Sequence, residues 1–317
     1  MSEPGPLLPR AIALVGPTAS GKSALGLQVA RRLGLAIWCC DSVQVYRGLD
    51  IGSAKPTPED RAAVPHHLLD LVDPSQTFSA GMYGRLARQR LAQSAGLFVG
   101  GTGFYLRAAI WTHSGDDGQD LARDDPQRGA MEAIWQERER GEPGCTHARL
   151  VELDPETAAS IHPRNFVRAV RAVWLCERHG EPVSAVRRRD PPRRDARVLA
   201  VVLDPGVEAV DAAVDARADA MLAAGWVDEV QRLRSAGYDA RYEAMRTLGY
   251  RQLLDHLEGR ISLEEACAAI KLATRRYARR QRTWFRNQAL ADEIVYISRP
   301  ESFPYARVEA FMRGESV

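Results

Sequence analysis

Residues 16–23, Gly16-Pro17-Thr18-Ala19-Ser20-Gly21-Lys22-Ser23, constrain this chain more than any other stretch. They fit G-x-x-x-x-G-K-[ST] at every fixed position, directly after an apolar strand candidate (11–15) and directly before a helix-like run (24–33). Strand, glycine-rich loop and helix in that order make a phosphate cradle. The glycines let the backbone wrap an anion, loop N–H groups and the helix N-terminus supply partial positive charge, and Lys22 adds a full one. The Ser23 hydroxyl is placed to ligate Mg²⁺. A surface turn with a stray lysine is the bland alternative, and the strand and helix on either side argue against it.

The loop alone does not say what carries the phosphate. A GTPase would need a guanine-reading N-K-x-D, which is absent, and an ATP hydrolase would want an acid at the tip of a later strand. The best later strand, 97–99, ends instead in Gly100-Gly101-Thr102-Gly103, so nucleotide hydrolysis is a poor fit. The next strand, 36–40, runs into Asp41-Ser42-Val43-Gln44-Val45-Tyr46. In a parallel sheet its carboxyl end lies on the same edge as the cradle, so Asp41 should face the phosphate. A carboxylate there repels the ligand unless it holds a metal ion or takes a proton from a nucleophile. The alternative for Asp41 is a turn or helix cap.

With residues 51–56, 65–70, 73–75, 100–103, 161–163, 249–251 and 280–286 added in order, the chain resembles the tRNA dimethylallyltransferases, over nearly its whole length. That resemblance implies transfer of a dimethylallyl group from its diphosphate to the exocyclic amine of the adenosine 3′ of the anticodon, with Mg²⁺ as cofactor and a tRNA anticodon stem-loop as partner. It also gives the residues roles. Gly16 to Ser23 become the diphosphate site, Asp41 the base, Thr18 the contact to the bridging oxygen, and Lys22 and Arg217 the cations on the leaving group. Arg217 taken alone reads as an exposed helix arginine. Implied tRNA contacts are Asp41, Ser42, Val43, Gln44, Thr102, Arg168, Arg171, Arg246, Gly249, Tyr250, Arg251, Arg279, Arg280, Gln281, Arg282, Thr283, Trp284 and Arg286. Departures from the family pattern are Ser53 for Thr, Phe78 for Tyr, and Arg164-Asn165 where members usually continue Asn-Asp. His66 and His67 read as structural.

Charge supports a polyanion partner locally. Net charge is only +2, yet residues 271–286 hold seven bases and no acid, with Tyr277, Trp284 and Phe285 between them. Arginine interleaved with aromatics is how single-stranded RNA is gripped and stacked, and a solvated cationic face is the alternative. A capping box, Ser262 with Glu265, should start that helix.

The expected architecture is α/β, a P-loop NTPase-like parallel sheet core (1–111 and 195–317) with an inserted helical domain (112–194). The insertion begins in a polar section around Asp116, Asp117, Asp120, Asp124 and Asp125 and continues in helices over 129–140 and 149–180. It closes in a turn-rich basic joint at 187–194, after which strand 198–203 returns to the core. Arg168 and Arg171, at i and i+3, would share a helix face there.

The longest uncharged run, 91–106, is sixteen residues with four glycines, short of the roughly 20 that span a bilayer. Five cysteines form no C-x-x-C pair, so neither a zinc site nor a disulfide framework is expected. The expected protein is a cytoplasmic monomer. A small-molecule relative, either an adenylate isopentenyltransferase or a nucleotide kinase, is the alternative, and neither would need the insertion or the basic helix.

Overall fold

The computed structural model describes residues 8–112, 126–288 and 291–315. The expected acidic opening of the insertion, Asp116 to Asp125, lies outside them. The chain divides into two units, residues 1–111 with 194–317 and residues 112–193.

The first unit is built on a six-stranded, all-parallel sheet in the order β3-β2-β4-β1-β7-β8. The strands are β1 (Arg10–Val15), β2 (Ala36–Cys40), β3 (His66–His67), β4 (Gly96–Gly100), β7 (Arg197–Leu203) and β8 (Glu293–Ile297); two short strands, β5 (Trp111–Thr112) and β6 (Arg193–Arg194), stand outside it. Its central strands are continuous apolar runs because both faces are covered. Alternate residues of β1 separate accordingly: Ala11, Ala13 and Val15 join one core, Ile12 and Leu14 the other. Helices α1 (Lys22–Leu33) and α14 (Tyr305–Arg313) pack on the Ile12 side through Leu25, Val29, Val308 and Phe311. On the Ala13 side lie α3 (Ala80–Leu91), α4 (Gly103–Ile110), α11 (Trp226–Ser235), α12 (Tyr250–Leu257) and α13 (Leu263–Asn287). Helix α2 (Pro58–Ala63) precedes β3, and α10 (Val207–Ala223) packs against α13.

The register is what assembles the site. Gly100 pairs with both Cys40 and Val15, and Val15 pairs with Val202 on its other side. The carboxyl ends of β2, β4, β1 and β7 are therefore level, and the loops after them open on one edge. The expected strands are all present within a residue. Strands β3 and β8 are additions to the expected set: one is two residues long, and the other, at the sheet edge, is an apolar run of four residues, Ile294 to Ile297, that the sequence does carry.

The second unit has its own core of Trp135, Leu150, Ala169, Val170, Val173, Cys176 and Val183. It consists of α5 (Pro126–Gly141), α6 (Cys145–Leu153), α7 (Pro155–Ala159), α8 (Phe166–His179) and α9 (Val183–Arg189). Arg187 to Arg189 form the last turn of α9, where the sequence suggested only a turn-rich joint. The departure at Arg164-Asn165 is absorbed locally, since the Asn165 side chain caps α8 by accepting from the Arg168 N–H at 3.3 Å. Arg168 and Arg171 are both on α8 and both exposed.

Candidate active site

The cradle joins β1 to α1. Gly16 lies so close to the end of β7 that a Cβ there would stand 2.2 Å from the Leu203 carbonyl oxygen, so no other residue fits without moving the strand. Ala19 and Gly21 adopt positive φ, 61° and 88°, which curls the loop. Lys22, 9 % exposed, folds back and donates to the Pro17 carbonyl at 3.1 Å. Burial, and after it the repulsion of Arg217, lowers its pKa to about 8, with Asp41 pulling the other way. Ser23 is exposed on the first turn of α1.

Asp41 ends β2 and is both a cap and a wall of the site. Its Oδ1 accepts from the N–H groups of Val43 at 2.8 Å and Gln44 at 3.3 Å. Those bonds use one oxygen of the two. The turn is held from the neighbouring strand: Thr102 N–H donates to the Cys40 carbonyl at 3.1 Å, and Thr102 Oγ1 accepts from the Ser42 N–H at 3.1 Å. Gln44 spends its amide nitrogen on the carbonyls of Ser53 and Ala54.

Thr18, Asp41, Val43 and Arg217 line one cavity of about 100 Å³. Its other walls come from α10 (Val214, Ala218, Met221), α13 (Ile270, Thr274, Tyr277), Trp226, Leu248, Gly52 and Ser53. The cavity therefore has a polar pole at the cradle and an apolar flank. Arg217 is largely buried, which lowers its pKa, while Asp41 opposes the shift. Among the described residues neither Lys22 nor Arg217 has a carboxylate within ion-pair range. Two desolvated cations beside one carboxylate are a combination able to hold an anion next to a proton acceptor. Tyr277 is pushed up to about 12 by burial and by Asp41, so it stays protonated.

A metal ion would find few protein ligands here. No three Asp, Glu, His or Cys side chains gather among the described residues.

The expected RNA contacts divide. Arg246, Arg251, Arg280 and Thr283 are exposed. Tyr250 is fully buried and donates to Glu229 at 2.7 Å, and Gly249 caps α12 beneath the Trp226 ring, so both build the core. Gln281 is buried, with both ends of its amide bonded inside the protein. Trp284 packs edge-on against Phe285 and tilted against the exposed Phe104. The largest difference concerns the basic helix. Lys271, Arg275 and Arg279 pair with Asp219, Asp215 and Asp211 of α10 at 2.6–2.7 Å, while Arg282 and Arg286 pair with Asp204 at 2.9 and 3.4 Å. Five of the seven bases are thus matched within the fold, leaving Arg276 and Arg280 outside the ladder. The capping box at Ser262 and Glu265 is present.

The cavity flank was missed by sequence reasoning, although a signal exists. Val214, Arg217, Ala218 and Met221 recur at i, i+3, i+4 and i+7, and Ile270, Thr274 and Tyr277 at i, i+4 and i+7. That spacing marks one face of each helix, but a face lining a cavity and a face filling a core look alike.

Residues 44–288 match the family model for IPP transferase, and residues 9–70 match that for isopentenyl transferase. The chain is 45% identical over 282 residues to a tRNA dimethylallyltransferase of Roseiflexus sp. (strain RS-1), covering 87% of this chain and 89% of the relative. It is 43% identical to that of Streptomyces coelicolor, covering 89% and 88%. Among solved structures, the full-length tRNA isopentenylpyrophosphate transferase of Bacillus halodurans superposes with a TM-score of 0.64 at 32% identity, covering 96% of each chain. A eukaryotic dimethylallyltransferase acting on tRNA shares the fold at a TM-score of 0.80 and 22% identity, covering 98% of this chain and 81% of its own.

Proposed function

Because the chain belongs to the IPP transferase family, we propose that it transfers a dimethylallyl group from dimethylallyl diphosphate to the N6 amine of the adenosine 3′ of the anticodon in tRNA. The observation that carries this reading is a cavity with Arg217, Asp41 and the loop residue Thr18 on its wall, an apolar flank beside them, and the buried Lys22 in the same loop as Thr18. The polar pole suits a diphosphate and the apolar flank a short branched tail.

The amine attacks the allylic carbon, the carbon–oxygen bond breaks, and diphosphate leaves intact with the bonding pair. Lys22, Arg217 and the loop N–H groups are aimed where that negative charge grows, which lowers the transition state more than the ground state. The oxygen of Asp41 not used by the turn accepts the proton the amine sheds. Thr18, the residue of the cradle that lines the cavity, is the neighbour of the bridging oxygen. Mg²⁺ at Ser23 would neutralise further charge on the leaving group. Among the described residues no helix is long and apolar enough to cross a membrane. Incubation with radiolabelled dimethylallyl diphosphate and either tRNA or AMP tests the assignment. Label should enter tRNA alone, and label in AMP instead would overturn it.

The lowered pKa of Lys22 gives a signed pH dependence. A bound diphosphate favours the ammonium and raises that pKa again, so binding takes up a proton once the free enzyme has passed about pH 8. Affinity for dimethylallyl diphosphate should be level below that pH and weaken above it, approaching about tenfold per pH unit. Isothermal titration in buffers of different ionisation heat should show proton uptake above pH 8. A flat profile through pH 9.5 would place Lys22 away from the anion.

The ion-pair ladder changes which arginines should report RNA contact. Arg280→Ala should flatten the salt dependence of tRNA binding by about 0.7 in log K against log salt, the value for one phosphate contact on a single strand. Arg282→Ala should instead lower the melting temperature, because it leaves the partly buried Asp204 carboxylate with only the longer Arg286 ion pair. Equal slopes for wild type and Arg280→Ala would reduce Arg280 to a solvated cation.

A further inference from the structure

We propose that Gln281 is a positioning residue that sets the cradle and the base-bearing turn at a fixed separation before substrate arrives. It stands on α13 between Arg280 and Arg282 but is 7 % exposed. Its Oε1 accepts from the Thr18 N–H at 2.8 Å, and its Nε2 donates to the Gly101 carbonyl at 2.8 Å. The amide lies hard against the backbone, since a Cβ on Gly101 would come within 2.3 Å of Nε2.

The two backbone groups it joins belong to the two halves of the chemistry. Thr18 sits in the middle of the loop that would hold the leaving group and forms part of the cavity wall. Gly101 leads into Thr102, whose backbone N–H and hydroxyl grip Cys40 and Ser42 on either side of Asp41. One uncharged side chain thus bridges the loop under the diphosphate and the strand end that orients the carboxylate. A glutamine suits the task because the amide holds an acceptor oxygen and an NH₂ donor group in a single plane, matching one N–H and one carbonyl. Losing it would leave the buried Gly101 carbonyl and the half-buried Thr18 N–H without these partners. The gain is preorganisation: the loop keeps its anion-ready curve, and the distance between base and leaving group is fixed, without help from the ligand.

This inference rests on the prenyl-transfer reading, and two variants separate its failure from that reading's failure. Gln281→Leu keeps the bulk and removes both bonds. Its kcat should fall about tenfold or more, the factor corresponding to one orphaned buried group, while tRNA affinity stays near wild type. Gln281→Glu changes no volume but turns the donor into an acceptor facing the Gly101 carbonyl. Burial and that carbonyl raise the carboxyl pKa, and the protonated acid can make both original bonds. Its activity relative to wild type should therefore climb as pH is lowered from about 8 to 6. A merely structural glutamine would not produce that ratio. Wild-type kcat in Gln281→Leu, a pH-independent ratio for Gln281→Glu, or loss of tRNA affinity alone in either variant would overturn the proposal. A wild-type chain that labels no tRNA would instead overturn the reaction assignment.

Discussion

Asp41→Asn is expected to lower kcat by about 10²- to 10⁴-fold, the span associated with removing a general base. The substitution is a clean one here. The turn that Asp41 caps uses Oδ1, and an asparagine oriented with its oxygen there still accepts from Val43 and Gln44. What disappears is the second anionic oxygen, the one that would receive the N6 proton. Single-turnover rates with prebound dimethylallyl diphosphate isolate that step from binding. Near wild-type rates would reduce Asp41 to its capping role.

Lys22→Ala should be the next most damaging change, with kcat down by about 10²- to 10³-fold, as for a donor aimed at developing negative charge. Folding should survive, since the Nζ makes a hydrogen bond to Pro17 and no ion pair that would be orphaned. The variant should bind tRNA as well as the wild type does, because the lysine is buried under the loop. It should also lose the weakening of diphosphate affinity above pH 8 that the wild type shows. If Lys22→Ala bound diphosphate normally and failed to bind tRNA, the two substrates would have to be exchanged in the site.

Legibility in the sequence followed the range of the interactions. The cradle reads directly because eight consecutive residues carry it, and Asp41 follows because a strand end in a parallel sheet has only one edge to face. The strands around the site are apolar runs bounded by glycine or charge, and their positions held to within a residue. The ion pairs of the α13 arginines do not show in the local sequence because their partners stand 60 to 82 residues away. Local spacing shows a cationic stripe but cannot show the aspartates at 211, 215 and 219 that meet it at matching helical intervals. Gln281 was hidden for the same reason. Flanked by exposed or half-exposed arginines, it reads as one more polar contact, and only the approach of the loop from 263 residues earlier reveals its use.

The ladder between α10 and α13 has a consequence for how such an enzyme would find its substrate. A row of free arginines attracts every RNA in a cell alike, since phosphate attraction carries no sequence information. By matching five of its bases internally, this helix gives up much of that indiscriminate pull and leaves two, Arg276 and Arg280, outside the ladder. The larger pool of ribosomal and messenger RNA then competes less effectively for the site, and recognition rests on whether a loop can deliver an unpaired adenine into a small cavity.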